Sequence, residues 1–150
     1  MVQIIQSSAV DHEVLTEITK KSKAHWGYTK KQMENWSTDL TITKKYIESN
    51  HVYKLCVDTH TIWYYSYIYL NEKEVKLDNL FVLPNYIGRG FGRLLMNDFL
   101  ERVKKENRKK VTLESDPNAE NFYQHYGFIK VDHIETAISG RYLPIMELKI

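Results

Sequence analysis

The residues whose types and spacing could do chemistry gather in Gly88-Arg89-Gly90-Phe91-Gly92-Arg93, where glycines at alternate positions lead into an apolar-periodic helix. Glycine lets successive backbone N–H groups point into one concavity with no Cβ in the way. The helix adds its own free N–H groups and the positive end of its dipole. The segment therefore reads as an anion site suited to a pyrophosphate. The plainer alternative is a helix start whose glycines only relieve crowding. Other phosphate loops fit less well: G-x-G-x-x-G would need glycine where Arg93 stands, and G-x-x-x-x-G-K-[ST] is absent. The six histidines have no metal-ligand spacing and Cys56 is the only cysteine, so no metal is expected.

The elements around this turn follow from periodicity. A strand over Val75–Leu83 feeds it, and Pro84, which cannot donate to a ladder, stops that strand. Asp78-Asn79 breaks the apolar pattern and reads as a bulge or a functional position. After the turn, Leu95, Met96, Phe99, Leu100 and Val103 fall on one helical face. Lys110–Glu114 reads as a strand. Asp116-Pro117-Asn118 opens a helix to about Tyr126, with Gly127 at its end. Upstream, Val2–Gln6 is a strand, and Asp11 caps a helix to about Ala24 with Val14, Leu15 and Ile18 as its apolar stripe. Short helices are expected over Lys30–Trp36 and Thr43–Ser49, then strands over His51–Val57 and Thr61–Leu70. Strands over Phe128–His133 and Pro144–Lys149 enclose a loop containing Ser139-Gly140.

The whole is 150 residues, enough for one domain with its own core. The net charge of +2 argues against a nucleic-acid partner. The run from Lys104 to Lys110 is read as a solvated helix end whose cations complement the dipole. No signal peptide or membrane-spanning run is seen, and with a lone cysteine the expected location is cytoplasmic. Trp26, Tyr28 and Trp36, between the early helices, fit a substrate wall and a core equally well.

Two segments resemble the GNAT superfamily of N-acetyltransferases. The first, Val82-Leu83-Pro84 followed by Ile87-Gly88-Arg89-Gly90-Phe91-Gly92, is similar to the family's V-x-P strand end and its [Q/R]-x-x-G-x-[G/A] loop; Ile87 replaces the usual Gln or Arg. The second, Ala119 to Phe128, resembles A-x-x-[LF]-Y-x-x-x-G-F, with Ala119, Tyr123, Gly127 and Phe128 in register. The family's frequent Asn seven positions before the Tyr is Asp116 here, and Asn118 is the substitute.

The resemblance implies an α/β (α+β) fold in one domain over 1–150: a mixed, mainly antiparallel sheet flanked by helices, with splayed central strands. It implies acetyl-CoA as co-substrate, its pyrophosphate on Gly88, Arg89, Gly90, Phe91, Gly92 and Arg93. Backbone groups of Leu80, Phe81 and Val82 would bond the pantetheine, and a bulge at Asp78-Asn79 would turn an N–H toward the thioester carbonyl. Tyr123 matches the general acid that protonates the departing thiolate. Asp78 and Glu114 are the candidate general bases; His51, His60, His125 and water stay open. The acceptor is a small-molecule or protein amine, attacked directly in a ternary complex. Arg141-Tyr142 in the last loop is a further candidate for the acceptor side. No nucleic-acid or membrane partner is implied, and a homodimer is left open. The rival is a catalytically weak acetyl-CoA-binding regulatory or interaction module.

Overall fold

The computed structural model describes residues 1–136, 138 and 140–150; Ser139 of the expected last loop lies outside the described residues. The chain runs β1 (Val2–Gln6), α1 (His12–Ala24), α2 (Lys30–Asn35), α3 (Lys44–Ser49), β2 (His51–Val57), β3 (His60–Tyr69), β4 (Glu74–Val82), α4 (Phe91–Lys105), β5 (Lys110–Glu114), α5 (Glu120–His125), β6 (Ile129–Glu135) and β7 (Tyr142–Lys149). The strands form one mixed sheet in the order β1-β2-β3-β4-β5-β7-β6. The β4–β5 pair is parallel, whereas β1–β2, β2–β3, β5–β7 and β6–β7 are antiparallel. This is the expected α/β architecture of a mixed sheet flanked by helices.

The chain divides into two compact units, residues 1–67 with 79–99, and residues 68–78 with 100–150. In the first, the α1 stripe buries Leu15 and Ile18 against Ile42, Ile47, Val52 and Tyr64, with Phe81 and Leu83 packed on the same cluster. Side chains alternate faces along β3. Tyr64 and Ser66 share one face, and Tyr65 and Tyr67 the other, where both rings pack on Phe99 of α4. Burial on both faces explains why β3 reads as a continuous apolar and aromatic run. Asp11 stands at the start of α1 as expected, but its carboxylate does not cap that helix. It accepts from Ser8 N at 2.9 Å, closing a preceding 3-10 turn, and pairs with Lys54 at 2.9 Å.

In the second unit, β5 lies between β4 and β7, and Val111, Leu113, Phe128 and Met146 are buried. The ladder between the parallel strands runs from Glu74↔Lys110 to Lys76↔Thr112 and stops there, while β4 continues to Val82 and β5 to Glu114. Arg108, in the basic run, lies 3.6 Å from the centre of the Tyr69 ring and donates to Asn71 O. Part of that run is thus tied to the protein's own turn.

Candidate active site

The first unit carries the glycine turn. After β4, Pro84–Tyr86 makes a 3-10 turn, and the chain reverses through Gly88 at φ +80° and Gly90 at φ +84°. Those angles are strained for any residue with a Cβ, which explains the glycine spacing. A Cβ built on either would meet nothing within 4 Å, so the glycines do not relieve crowding. That removes the plainer reading at these two positions. The N–H groups of Gly88, Arg89 and Gly90 have no backbone acceptor among the described residues. Those of Phe91, Gly92 and Arg93 open α4 and have no intrahelical acceptor. Arg89 and Arg93 are exposed, and the Arg89 guanidinium rests 5.2 Å from the centre of the Tyr86 ring. Unpaired N–H groups, a helix dipole, two cations and open space make a cradle that fits a pyrophosphate.

In the second unit, Lys76 stands between the two candidate bases, its Nζ 3.9 Å from Asp78 Oδ1 and 3.5 Å from Glu114 Oε1. Register brings them together. Lys76 and Asp78 are two apart on β4, Lys76 faces Thr112, and Glu114 is two beyond Thr112 on β5. Sequence reading missed Lys76, although its i, i+2 spacing from Asp78 was visible. The cluster lies where the parallel ladder ends. It can hold a negative charge near a cation and pass a proton to or from water.

Tyr123 of α5 is buried, with its ring edge-on to Phe122 and Phe128. Burial, helped by the negative charge of Asp116, pushes its phenol well above the ordinary tyrosine value. Such a group stays a neutral O–H donor throughout the physiological range. Asp116 caps the turn before α5, accepting from Asn118 N at 2.9 Å and Asn118 Nδ2 at 2.8 Å. It also pairs with Arg141 at 3.3 Å, both side chains largely buried. Arg141 thus fastens the last loop to the start of α5, and the Asn118 amide is engaged with Asp116.

Among the other sequence candidates, Tyr28 and Trp36 pack edge-on at 4.9 Å with Lys23 Nζ over both rings, whereas Trp26 is exposed against His25. Tyr28 and Trp36 are partly exposed. Cys56 is buried on β2 beside the Thr61 hydroxyl. Among the described residues no group of three metal-ligating side chains occurs, and no helix is long and apolar enough to cross a membrane.

Residues 14–148 match the family model described as an acetyltransferase (GNAT) domain. The chain belongs to the GNAT acetyltransferases. Among curated GNAT relatives, an [Ribosomal protein bS18]-alanine N-acetyltransferase of Haemophilus influenzae is 28% identical over 134 residues, 86% of this chain and 82% of the relative. A local match to the uncharacterized N-acetyltransferase ycf52 of Gracilaria tenuistipitata var. liui is 39% identical over 46 residues; it spans 31% of this chain and a quarter (25%) of that relative's length. The PaiA N-acetyltransferase of Thermoplasma acidophilum, solved in complex with coenzyme A, superposes with a TM-score of 0.83 at 21% identity, covering 100% of this chain and 99% of that one.

Proposed function

We propose that this GNAT chain, acting as one catalytic domain, transfers an acetyl group from acetyl-CoA to a primary amine by direct attack. The observation that carries the reading is the turn from Gly88 to Arg93, with two positive-φ glycines, open space and unpaired N–H groups at a helix start. When bound, acetyl-CoA supplies an acetyl group activated as a thioester.

The chain's own residues do the rest. The N–H groups of Gly88, Arg89, Gly90, Phe91, Gly92 and Arg93 hold the pyrophosphate. The backbone of Leu80, Phe81 and Val82 holds the pantetheine as an added strand would, and Asn118 supports it near α5. Asp78 or Glu114 takes the proton from the acceptor ammonium, directly or through water. Tyr123 keeps a proton on Oη and gives it to the departing sulfur. Buried Cys56 takes no part.

The first acceptor to test is a protein α-amine, because the relative matched over most of its length is named for the alanine of a ribosomal protein. The experiment titrates acetyl-CoA against the protein. It then follows CoA thiol release with a panel of amines: an alanine-initiated peptide, a lysine side-chain peptide, a polyamine and an aminoglycoside. Saturable binding with amine-dependent release supports the reading. Binding without turnover favours a regulatory acetyl-CoA-binding module, and absence of binding sinks both.

A further inference from the structure

Asn79, on β4, is held from two sides within the first unit. Its Nδ2 donates to Ser66 Oγ of β3 at 2.9 Å and to Tyr46 Oη of α3 at 3.2 Å. The two hydroxyls are themselves 2.8 Å apart, and Ser66 is fully buried. Counting protons fixes which way the amide faces. With nitrogen toward the hydroxyls, two N–H groups and one O–H make three hydrogen bonds around the triangle. With the carbonyl there instead, only the two hydroxyl protons remain, and the triangle holds two bonds. The nitrogen therefore faces inward and Oδ1 faces away.

That oxygen is a strong sp2 acceptor with two lone pairs. Among the described residues Oδ1 has no hydrogen-bond partner. Asn79 itself is only partly buried. A fixed, reachable, unpaired acceptor calls for an N–H or O–H donor from outside the protein. Its place is informative, because Asn79 immediately precedes Leu80, where the pantetheine-binding stretch is proposed to begin.

We infer that Asn79 Oδ1 receives an N–H of the acceptor amine and selects primary over N-substituted amines. The inference rests on the acetyl-transfer reading above. Tyr46 and Ser66 act as positioning residues, holding the amide in one rotamer so that little side-chain entropy is lost when the amine docks. If the triangle only fastened α3 to the sheet, changing Asn79 would alter stability and leave amine selection alone.

The test uses the best amine of the panel and its N-methyl form. Asn79→Ala should raise the KM of the primary amine about ten-fold, the low end for a hydrogen bond to a charged donor, and erase the preference over the N-methyl form. The acetyl-CoA Kd should stay within about two-fold, as expected when a contact made only to the amine is lost. Asn79→Asp keeps an acceptor oxygen in place while the two hydroxyls donate to its other oxygen, so it should retain the preference. An Asn79→Ala protein that still prefers the primary amine overturns the inference, as does one that loses acetyl-CoA affinity as much as amine affinity. Should Asn79→Ala not fold, Tyr46→Phe keeps Oδ1 and leaves the amide held by Ser66 alone. The preference should then weaken, and an unchanged preference again overturns the inference. A wild type that binds acetyl-CoA and acetylates no amine defeats the acetyl-transfer reading itself, a result distinct from either failure above.

Discussion

Replacing Gly90 by alanine separates backbone geometry from crowding. The residue sits at φ +84° and a Cβ there meets nothing within 4 Å, so the change introduces no clash in the free protein. It does impose left-handed strain of about 1–2 kcal/mol. Gly27, after α1, is a matched control, with φ +85° and equally open surroundings. Both alanine variants should lose similar stability, measured by urea unfolding. Only Gly90→Ala should lose acetyl-CoA. Its backbone relieves strain by rotating out of positive φ, which takes the N–H groups of Gly90 and Phe91 out of the cradle. Two hydrogen bonds to a charged phosphate are worth about 1.5–3 kcal/mol each, so the Kd from calorimetric titration should rise about 100-fold or more. Gly90→Val should be at least as severe, because its larger side chain also enters the ligand's space. A folded Gly90→Ala protein with wild-type Kd would refute the reasoning, and so would a Gly27→Ala protein that weakens binding equally.

Tyr123→Phe should lower kcat by about a hundred- to a thousand-fold, in the range of lost general-acid catalysis, and change the acetyl-CoA Kd little; steady-state rates beside a binding titration check this. Because burial and Asp116 raise the Tyr123 phenol above its unfolded value of about 10, its ionisation should add no alkaline limb to the kcat profile below about pH 10. The raised value favours the folded state fully below about pH 10, and that stability is lost as pH climbs toward the folded value. Tyr123→Phe should therefore lose less stability than wild type in alkaline unfolding scans. Of Asp78→Asn and Glu114→Gln, the one that changes the base should abolish the rise of kcat/KM with pH, while the other keeps it. Arg141→Ala leaves the largely buried Asp116 carboxylate without its ion-pair partner and should cost about 1–3 kcal/mol in thermal or urea unfolding.

What could be read from the sequence was local. Positive φ is required residue by residue, so the glycines at 88 and 90 announced the turn, and a 3.6-residue period announced α4. Tyr123 is singled out by its match to a family pattern within one short segment. What stayed hidden depended on register or on contacts distant in sequence. Lys76 meets Glu114 only because β4 and β5 pair in parallel at Lys76↔Thr112. Asn79 was marked as a break in the strand pattern, but its partners come from α3 and β3. Asp11 was read as a helix cap, and the 3-10 turn before α1 and a lysine on β2 claim its carboxylate instead. Arg141 is only a candidate for the acceptor side in the sequence, and its pairing with Asp116, 25 residues away, comes from the structure.

The most direct measurement of the central claim follows a deuterium-labelled acetyl group from acetyl-CoA by mass spectrometry, with the amine present and absent. Direct transfer on the Gly88–Arg93 cradle predicts label in the amine product, one thiol released per labelled amine, and an unlabelled protein at every time point. Label that first appears on Cys56 or another side chain and then passes to the amine would contradict it, as would label released only as acetate.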